Sequence, residues 1–238
     1  MLPFDEVGSG PVIVLLHAGI ADRTMWREHL EPLAAAGHRV LAVDLPGFGE
    51  AAIEEGLQAP WSDVLTTLDA LGVERAALVG NSFGGAVAMR IALIAPERVS
   101  ALVLISAPPP VIQDPSAQLQ AAGEAEDAAL ARDDLDSAVE AIVNAWTLPD
   151  APAALRERVG AMQRRAFILQ NATPDVSEAP DPLAERLQAL SEITVPTLVA
   201  AGERDMPDFI EGAIDMAAVI PGARTPIPEP TDDGGTCE

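Results

Sequence analysis

The stretch Gly80-Asn81-Ser82-Phe83-Gly84 sets a serine between two glycines, directly after the apolar run Ala76-Ala77-Leu78-Val79 and before the helical-period segment Ala86 to Ile94. A strand, an abrupt turn and a helix in that order are what a nucleophilic serine needs. The turn lifts the hydroxyl above the sheet edge, and the helix N-terminus offers free N–H groups to a developing negative charge. A turn that tight brings neighbouring backbone close, which residues without a side chain tolerate at positions 80 and 84. The chemistry would be acyl transfer through Ser82; the alternative is an ordinary glycine-rich turn that carries a serine. Two further polar turns stand where they could act with it: His17-Ala18-Gly19-Ile20 after Val12 to Leu16, and Gly202-Glu203-Arg204-Asp205 after Thr197 to Ala201.

Positioning such groups requires a sheet, and the sequence supplies one. Val12-Ile13-Val14-Leu15-Leu16 is a continuous β-favouring run, as in a strand buried on both faces, and Arg39 to Val43, Ala76 to Val79, Ala101 to Ile105 and Pro196 to Ala200 repeat it. Between them, Met25 to Leu33, Trp61 to Leu71 and Ala86 to Ile94 have helical period. Alternation of this kind predicts an α/β fold, a mostly parallel sheet with helices on both faces. After Ser106 the alternation stops, and Ala107 to Glu192 reads as an inserted helical region without a convincing strand. Within it Leu135, Val139, Ile142 and Trp146 share a helical face, as do Leu155, Val159, Met162 and Ala166. The acidic patch Glu124 to Asp127 together with Arg132-Asp133-Asp134 is expected at solvated turns and helix ends. Pro226, Pro228 and Pro230 would remove donors from one side of a strand, which suits an outermost one.

Composition narrows the function. At 238 residues and 49% apolar the chain is expected to fold as one large domain on its own core. A formal charge of -23 repels phosphate backbones and anionic lipid, so neither nucleic acid nor a membrane is an expected partner. A lone cysteine, Cys237, permits no internal disulfide and no thiolate metal cluster, and the dispersed histidines show no metal-ligand spacing. No targeting signal or membrane span is visible at the start, and a cytoplasmic location is expected.

Taken in order, His17-Ala18-Gly19-Ile20 with Met25-Trp26, then Asp44-Leu45-Pro46-Gly47-Phe48-Gly49, then Gly80-Asn81-Ser82-Phe83-Gly84-Gly85 make the chain resemble the α/β-hydrolase family from about Gly8 to Ala223. It looks most like the small bacterial esterases, enol-lactonases and cofactor-free haloperoxidases, whose helical lid follows the sixth strand. The resemblance implies a core of residues 1–106 and 193–238 and a lid of residues 107–192. It implies Ser82 as nucleophile, the N–H groups of Gly19 and Phe83 as the oxyanion hole, and Asp205 as the acid, with Glu203 its competitor. His17 matches a loop-positioning histidine, the other role open to it being base for Ser82. Ile20, Trp146, Phe167 and Leu169 would line the pocket or simply pack in the core. No cofactor is implied.

The chain also departs from the pattern. Ala18 stands where glycine is usual, and all three histidines, His17, His29 and His38, precede Ser82, whereas the family histidine follows the acid. Met1 to Gly10 looks too short for the usual first strand pair and the closing helix is missing, so both ends are expected to be trimmed and the exposed sheet to favour a homodimer. Two functions follow: a serine hydrolase of small neutral esters or lactones, impaired for want of a base, or a non-catalytic ligand-binding or signalling protein on the same fold.

Overall fold

The structure, a computed structural model, describes residues 1–172, 176–183 and 186–227. In chain order the elements are β1 (Phe4–Gly8), β2 (Val12–Leu16), a 3-10 turn (Arg23–Trp26) running into α1 (Arg27–Ala35), β3 (Arg39–Val43), β4 (Gly56–Gln58), α2 (Pro60–Ala70), β5 (Ala76–Asn81) and α3 (Phe83–Ile94). There follow β6 (Val99–Ile105), α4 (Ala117–Leu130), α5 (Leu135–Trp146), α6 (Ala153–Asn171), β7 (Val176–Glu178), β8 (Thr197–Ala200) and α7 (Pro207–Val219). The main sheet runs β1-β3-β2-β5-β6-β8, antiparallel only between β1 and β3. Because β2, β5, β6 and β8 are parallel, the loops that leave them gather along one edge of the sheet.

Strand alternation divides the core between two faces. Val14, Leu16, Leu41, Val43 and Leu78 pack with Val64 and Leu68 of α2 and Val87 and Ile91 of α3. Leu15, Val40 and Ala42 turn the other way onto Trp26 and Leu30. A separate cluster joins α4, α5 and α6 through Ala129, Val139, Ile142, Val159, Met162 and Phe167, and it includes Ala18 and Ala21 of the loop after β2. These helices therefore rest directly on the expected oxyanion loop.

Three polar contacts fasten the same helices to the core. Asp208, at the start of α7, accepts from the N–H and hydroxyl of Ser116, the N-cap of α4, at 2.8 and 2.5 Å. Burial pushes the Asp208 carboxyl up, but the Ser116 hydrogen bonds prevail and hold it below its ordinary pKa. Arg165 donates to the Gly49 carbonyl, and Gln170 to that of Gly47 at 3.4 Å. Near the other end of the sheet, Arg23 binds Asp5, the fully buried Asp44 and Glu50, tying β1 to the loop after β3.

Met1 to Gly10 hold one strand and not a pair: β1, whose five residues pair with β3. Other expectations change. The acidic patch Glu124 to Asp127 is largely solvated but lies within the last two turns of α4, whereas Arg132-Asp133-Asp134 form the turn from α4 to α5, with Asp134 the N-cap of α5. Leu155 is exposed, since it falls in the first turn of α6, before the helix reaches α5. The stretch taken to be wholly helical holds the short strand β7, parallel to β4. Its last part, with Leu183, Ala189 and Leu190, is buried in the main core, because those apolar residues lead straight into β8. Beyond α7, Arg224 forms a parallel bridge to Leu198 of β8; Pro228, Pro230 and Cys237 lie outside the described residues. Among the described residues no helix is long and apolar enough to cross a membrane.

Candidate active site

Ser82 sits on the break between β5 and α3 with φ 49 and ψ -115, a conformation costly for any residue with a side chain, of the order of 1–3 kcal/mol. The surroundings fix it there. The Ser82 N–H donates to Ile105 O on β6 at 2.9 Å, the Asn81 side chain donates to the same carbonyl at 3.1 Å, and Gly85 and Ala86 N–H return to Ser82 O. Gly84 N–H is taken by His17 O at 3.0 Å, which ties the loop after β2 to the start of α3. Among the described residues the N–H groups of Phe83 and Gly19 donate to no protein acceptor. A Cβ placed on Gly19 would lie 3.4 Å from Phe83 Cβ, so the two expected oxyanion donors sit on adjoining segments.

Ser82 opens into a cavity of about 830 Å³ at the C-terminal edge of the sheet, roofed by the helices of the insert. Asp205 borders the same cavity. Its Oδ2 accepts from Ser106 Oγ at 2.6 Å and from Gly202 N–H at 2.7 Å, while Oδ1 takes no hydrogen bond from the described residues. One oxygen is thus anchored and the other remains available to a partner. Glu203 lines the cavity as well, but without such an anchor, and this geometry favours Asp205 for the role of acid.

His17 is fully buried, and its two nitrogens are both engaged. Nδ1 lies 2.8 Å from Ala18 O and must donate; Nε2 accepts from Leu45 N–H at 2.9 Å. That pair of partners defines the neutral tautomer, and burial keeps the imidazole pKa below its ordinary value despite Asp44 and Asp22 nearby. His17 therefore braces the loop and has no lone pair for Ser82. The proton it refuses in the folded state is accepted in the unfolded one, so its stabilising contribution is complete above about pH 6.5 and declines as pH falls below that. Denaturant midpoints measured from about pH 7.5 down to about 5 should fall, and less steeply in His17→Gln; equal slopes would contradict the assignment.

Ile20, Trp146 and Phe167 border the cavity. Phe167 is mostly core, and Trp146 stands edge-on to Phe209 of α7 at 5.5 Å, joining roof to floor. Leu169 does not line it. Gln163, Phe167 and Gln170 recur at helical spacing on α6 and face the cavity, whereas Leu169 is two residues, over half a turn, from Phe167. The sequence reading missed Ser106, Phe48, Phe209 and Gln163. Only Ser106 had a signal, a polar residue directly after a strand at the edge where the site forms; it takes φ 46 to reach Asp205.

A parallel sheet bearing a strained serine on its central strand-to-helix turn, beneath helices inserted after β6, defines the class: the chain belongs to the alpha/beta hydrolase fold family, whose sequence profile matches residues 11–231. It is 29% identical over 236 residues to 2-hydroxy-6-oxononadienedioate/2-hydroxy-6-oxononatrienedioate hydrolase of Cupriavidus pinatubonensis, covering 94% of this chain and 81% of that one. It is 40% identical to bifunctional epoxide hydrolase 2 of Sus scrofa over 112 residues, 45% of this chain but only 20%, about a fifth, of that protein's length. A thermophilic esterase from Thermogutta terrifontis superposes with a TM-score of 0.74 at 25% identity, covering 94% of this chain and 83% of the esterase.

Proposed function

We propose that the protein is a serine hydrolase of small neutral carboxylic esters or lactones, acting through an acyl-serine at Ser82. The observation that carries this is the strained Ser82 opening with Gly19 and Asp205 into one cavity, the unengaged N–H groups of Gly19 and of Phe83, the residue next to Ser82, lying on adjoining segments. Ser82 Oγ attacks the carbonyl carbon, the two N–H groups receive the charge that develops on its oxygen, and collapse expels the alcohol; water then releases the acid by the same route. Asp205, held by Ser106 and Gly202, is placed to orient a base with its free oxygen.

The cavity wall supports a neutral substrate over a dianionic one such as the relative from Cupriavidus is named for. Glu126, Glu203 and Asp205 border it, and its one arginine, Arg204, already binds both oxygens of Asp150 at 3.1 Å. The ester reading agrees with the esterase of similar fold.

Serine chemistry also needs a proton acceptor, and His17 is committed to the loop. This favours a second reading, a ligand-binding protein on the same fold, and assay with nitrophenyl acetate separates the two. The 238-residue chain should show slow release of nitrophenol above background, far below the order of 10 per second typical of enzymes, and Ser82→Ala should abolish it. Release that survives Ser82→Ala would sink the hydrolase reading.

A further inference from the structure

Asn144, in the last turn of α5, borders the cavity, and its neighbours decide which end of its amide is left for a ligand. Its Oδ1 accepts from a terminal nitrogen of Arg156, in the first turn of α6. The other terminal nitrogen of Arg156 donates to Thr147 Oγ1 at 2.6 Å, and the Thr147 hydroxyl in turn donates to Val143 O at 2.5 Å. A guanidinium has donors and no acceptor, so the amide can meet it only with oxygen, and the NH2 is the end left over. That NH2 donates to none of the described residues. Gln118 of α4 and Gln163 of α6 border the same cavity, and neither amide nitrogen is bonded to a described residue; of the Gln163 amide only Oε1 is sealed off. Three helices of the insert thus line the cavity with amide donors, while the arginine that borders it, Arg204, is taken up by Asp150.

We propose that Asn144 is a specificity-determining residue: its NH2, oriented by Arg156, donates to a neutral oxygen acceptor, such as a second carbonyl, that the substrate carries away from the reacting carbon. The reacting carbonyl meets the N–H groups of Gly19 and Phe83 on the floor, and the second oxygen meets the roof. Glu126 and Glu203 border the cavity as carboxylates without a partner among the described residues and repel an anionic acceptor, which narrows the class to keto esters and diesters. Arg156 is a positioning residue that acts through Asn144. Because Asn144 is also exposed to water, an unmatched substrate costs it little and the selectivity is modest. The proposal rests on the ester-hydrolase reading, but its test measures binding and does not depend on turnover.

Three ketones that cannot be hydrolysed serve as probes for calorimetric titration of the full chain: benzylacetone bearing a para-acetyl group, a para-isopropenyl group of the same shape, or a para-carboxyl group. The acetyl compound should bind about fivefold tighter than the isopropenyl one, the difference one hydrogen bond makes, and the carboxylate should bind weakest. Asn144→Asp keeps the shape and the Arg156 contact but turns an acceptor on the ligand, and Asn144→Leu removes the donor. Each should bring the ratio to about two or below, the statistical gain of a second ketone, and Asn144→Leu should leave isopropenyl affinity unchanged. Arg156→Met, which frees the amide to turn, should lower the ratio without weakening the isopropenyl compound. The proposal is overturned by a ratio of about two or below in the parent chain, by acetyl binding too weak to titrate at millimolar concentration, or by a ratio that persists in both Asn144 variants. A purely structural Asn144 would also overturn it, shifting the melting temperature in the variants and scaling acetyl and isopropenyl affinities alike. The expected acetyl preference alongside ester release that survives Ser82→Ala would fault the hydrolase reading alone.

Discussion

Joining to Ile227 a loop that carries a histidine, followed by a helix to cover the sheet, raises turnover of nitrophenyl acetate by several powers of ten, and Ser82→Ala removes the whole gain. The size follows from the groups the proposed mechanism uses. Ser82, Asp205 and Gly19, the nucleophile, acid and one oxyanion donor of the proposed mechanism, border one cavity, and loss of the histidine alone from such a set removes roughly 10⁶ in turnover, leaving about 10³ to 10⁴ over water. The route is short, since the chain after α7 pairs Arg224 with Leu198 of β8, the strand whose next loop carries Asp205. Free Asp205 Oδ1 is the acceptor for the new imidazole N–H, and Asp205→Asn in the rescued chain should cost most of the gain. Activity should then rise with pH through about 6.5 to 7 as the imidazole loses its proton. Dissolved imidazole offers a simpler trial on the unaltered chain, the rate climbing with its concentration only when Ser82 is present. An unaltered chain already running at about 10 per second with Ser82 required would place the base elsewhere, in a neighbouring copy or at a repositioned His17.

How far this site could be read beforehand differs from residue to residue. Gly80 to Gly85 announce a turn because backbone geometry dictates residue type there. Val12 to Leu16 announces a strand because burial on both faces requires an unbroken apolar run. β1 was not legible: Phe4-Asp5-Glu6-Val7-Gly8 is an edge strand with mixed exposure, and its place is fixed by pairing with β3 and by Arg23 reaching Asp5, contacts distant in sequence. α7 escaped notice for a similar reason, since Pro207 and Asp208 read as loop until Phe209, Ala213 and Met216 are seen buried together. Within the insert, α5 and α6 were readable from their apolar faces, but which residue of α6 meets the cavity was not. Leu169 is the more apolar choice, and only the helix's orientation on α5 gives the cavity Gln163 and Gln170 instead.

Gly84→Ala and Gly80→Ala should each cost at least about 3 kcal/mol of stability and remove ester release together with it. A Cβ on Gly84 would stand 2.5 Å from the Leu16 carbonyl carbon and 2.7 Å from His17 O. One on Gly80 would stand 2.5 Å from Gly85 N. All of these neighbours are backbone, held by β2 against β5 and by the first turn of α3, so no side chain can swing aside to make room. Relief requires α3 to move off the sheet, which breaks the Gly84 N–H bond to His17 O and separates Phe83 from Gly19. Against a total of roughly 5–15 kcal/mol for a domain, that is a large share. Gly123 provides the control: it lies within α4, exposed, with no atom near its absent Cβ. Gly123→Ala should therefore stabilise by about 0.5–1 kcal/mol, through helix propensity alone. Urea midpoints for the three variants decide the matter. If Gly84→Ala stays within about 0.5 kcal/mol of the parent, the ordinary range for an uninvolved surface position, then the turn has slack and Ser82 is not held in its strained conformation by close backbone packing.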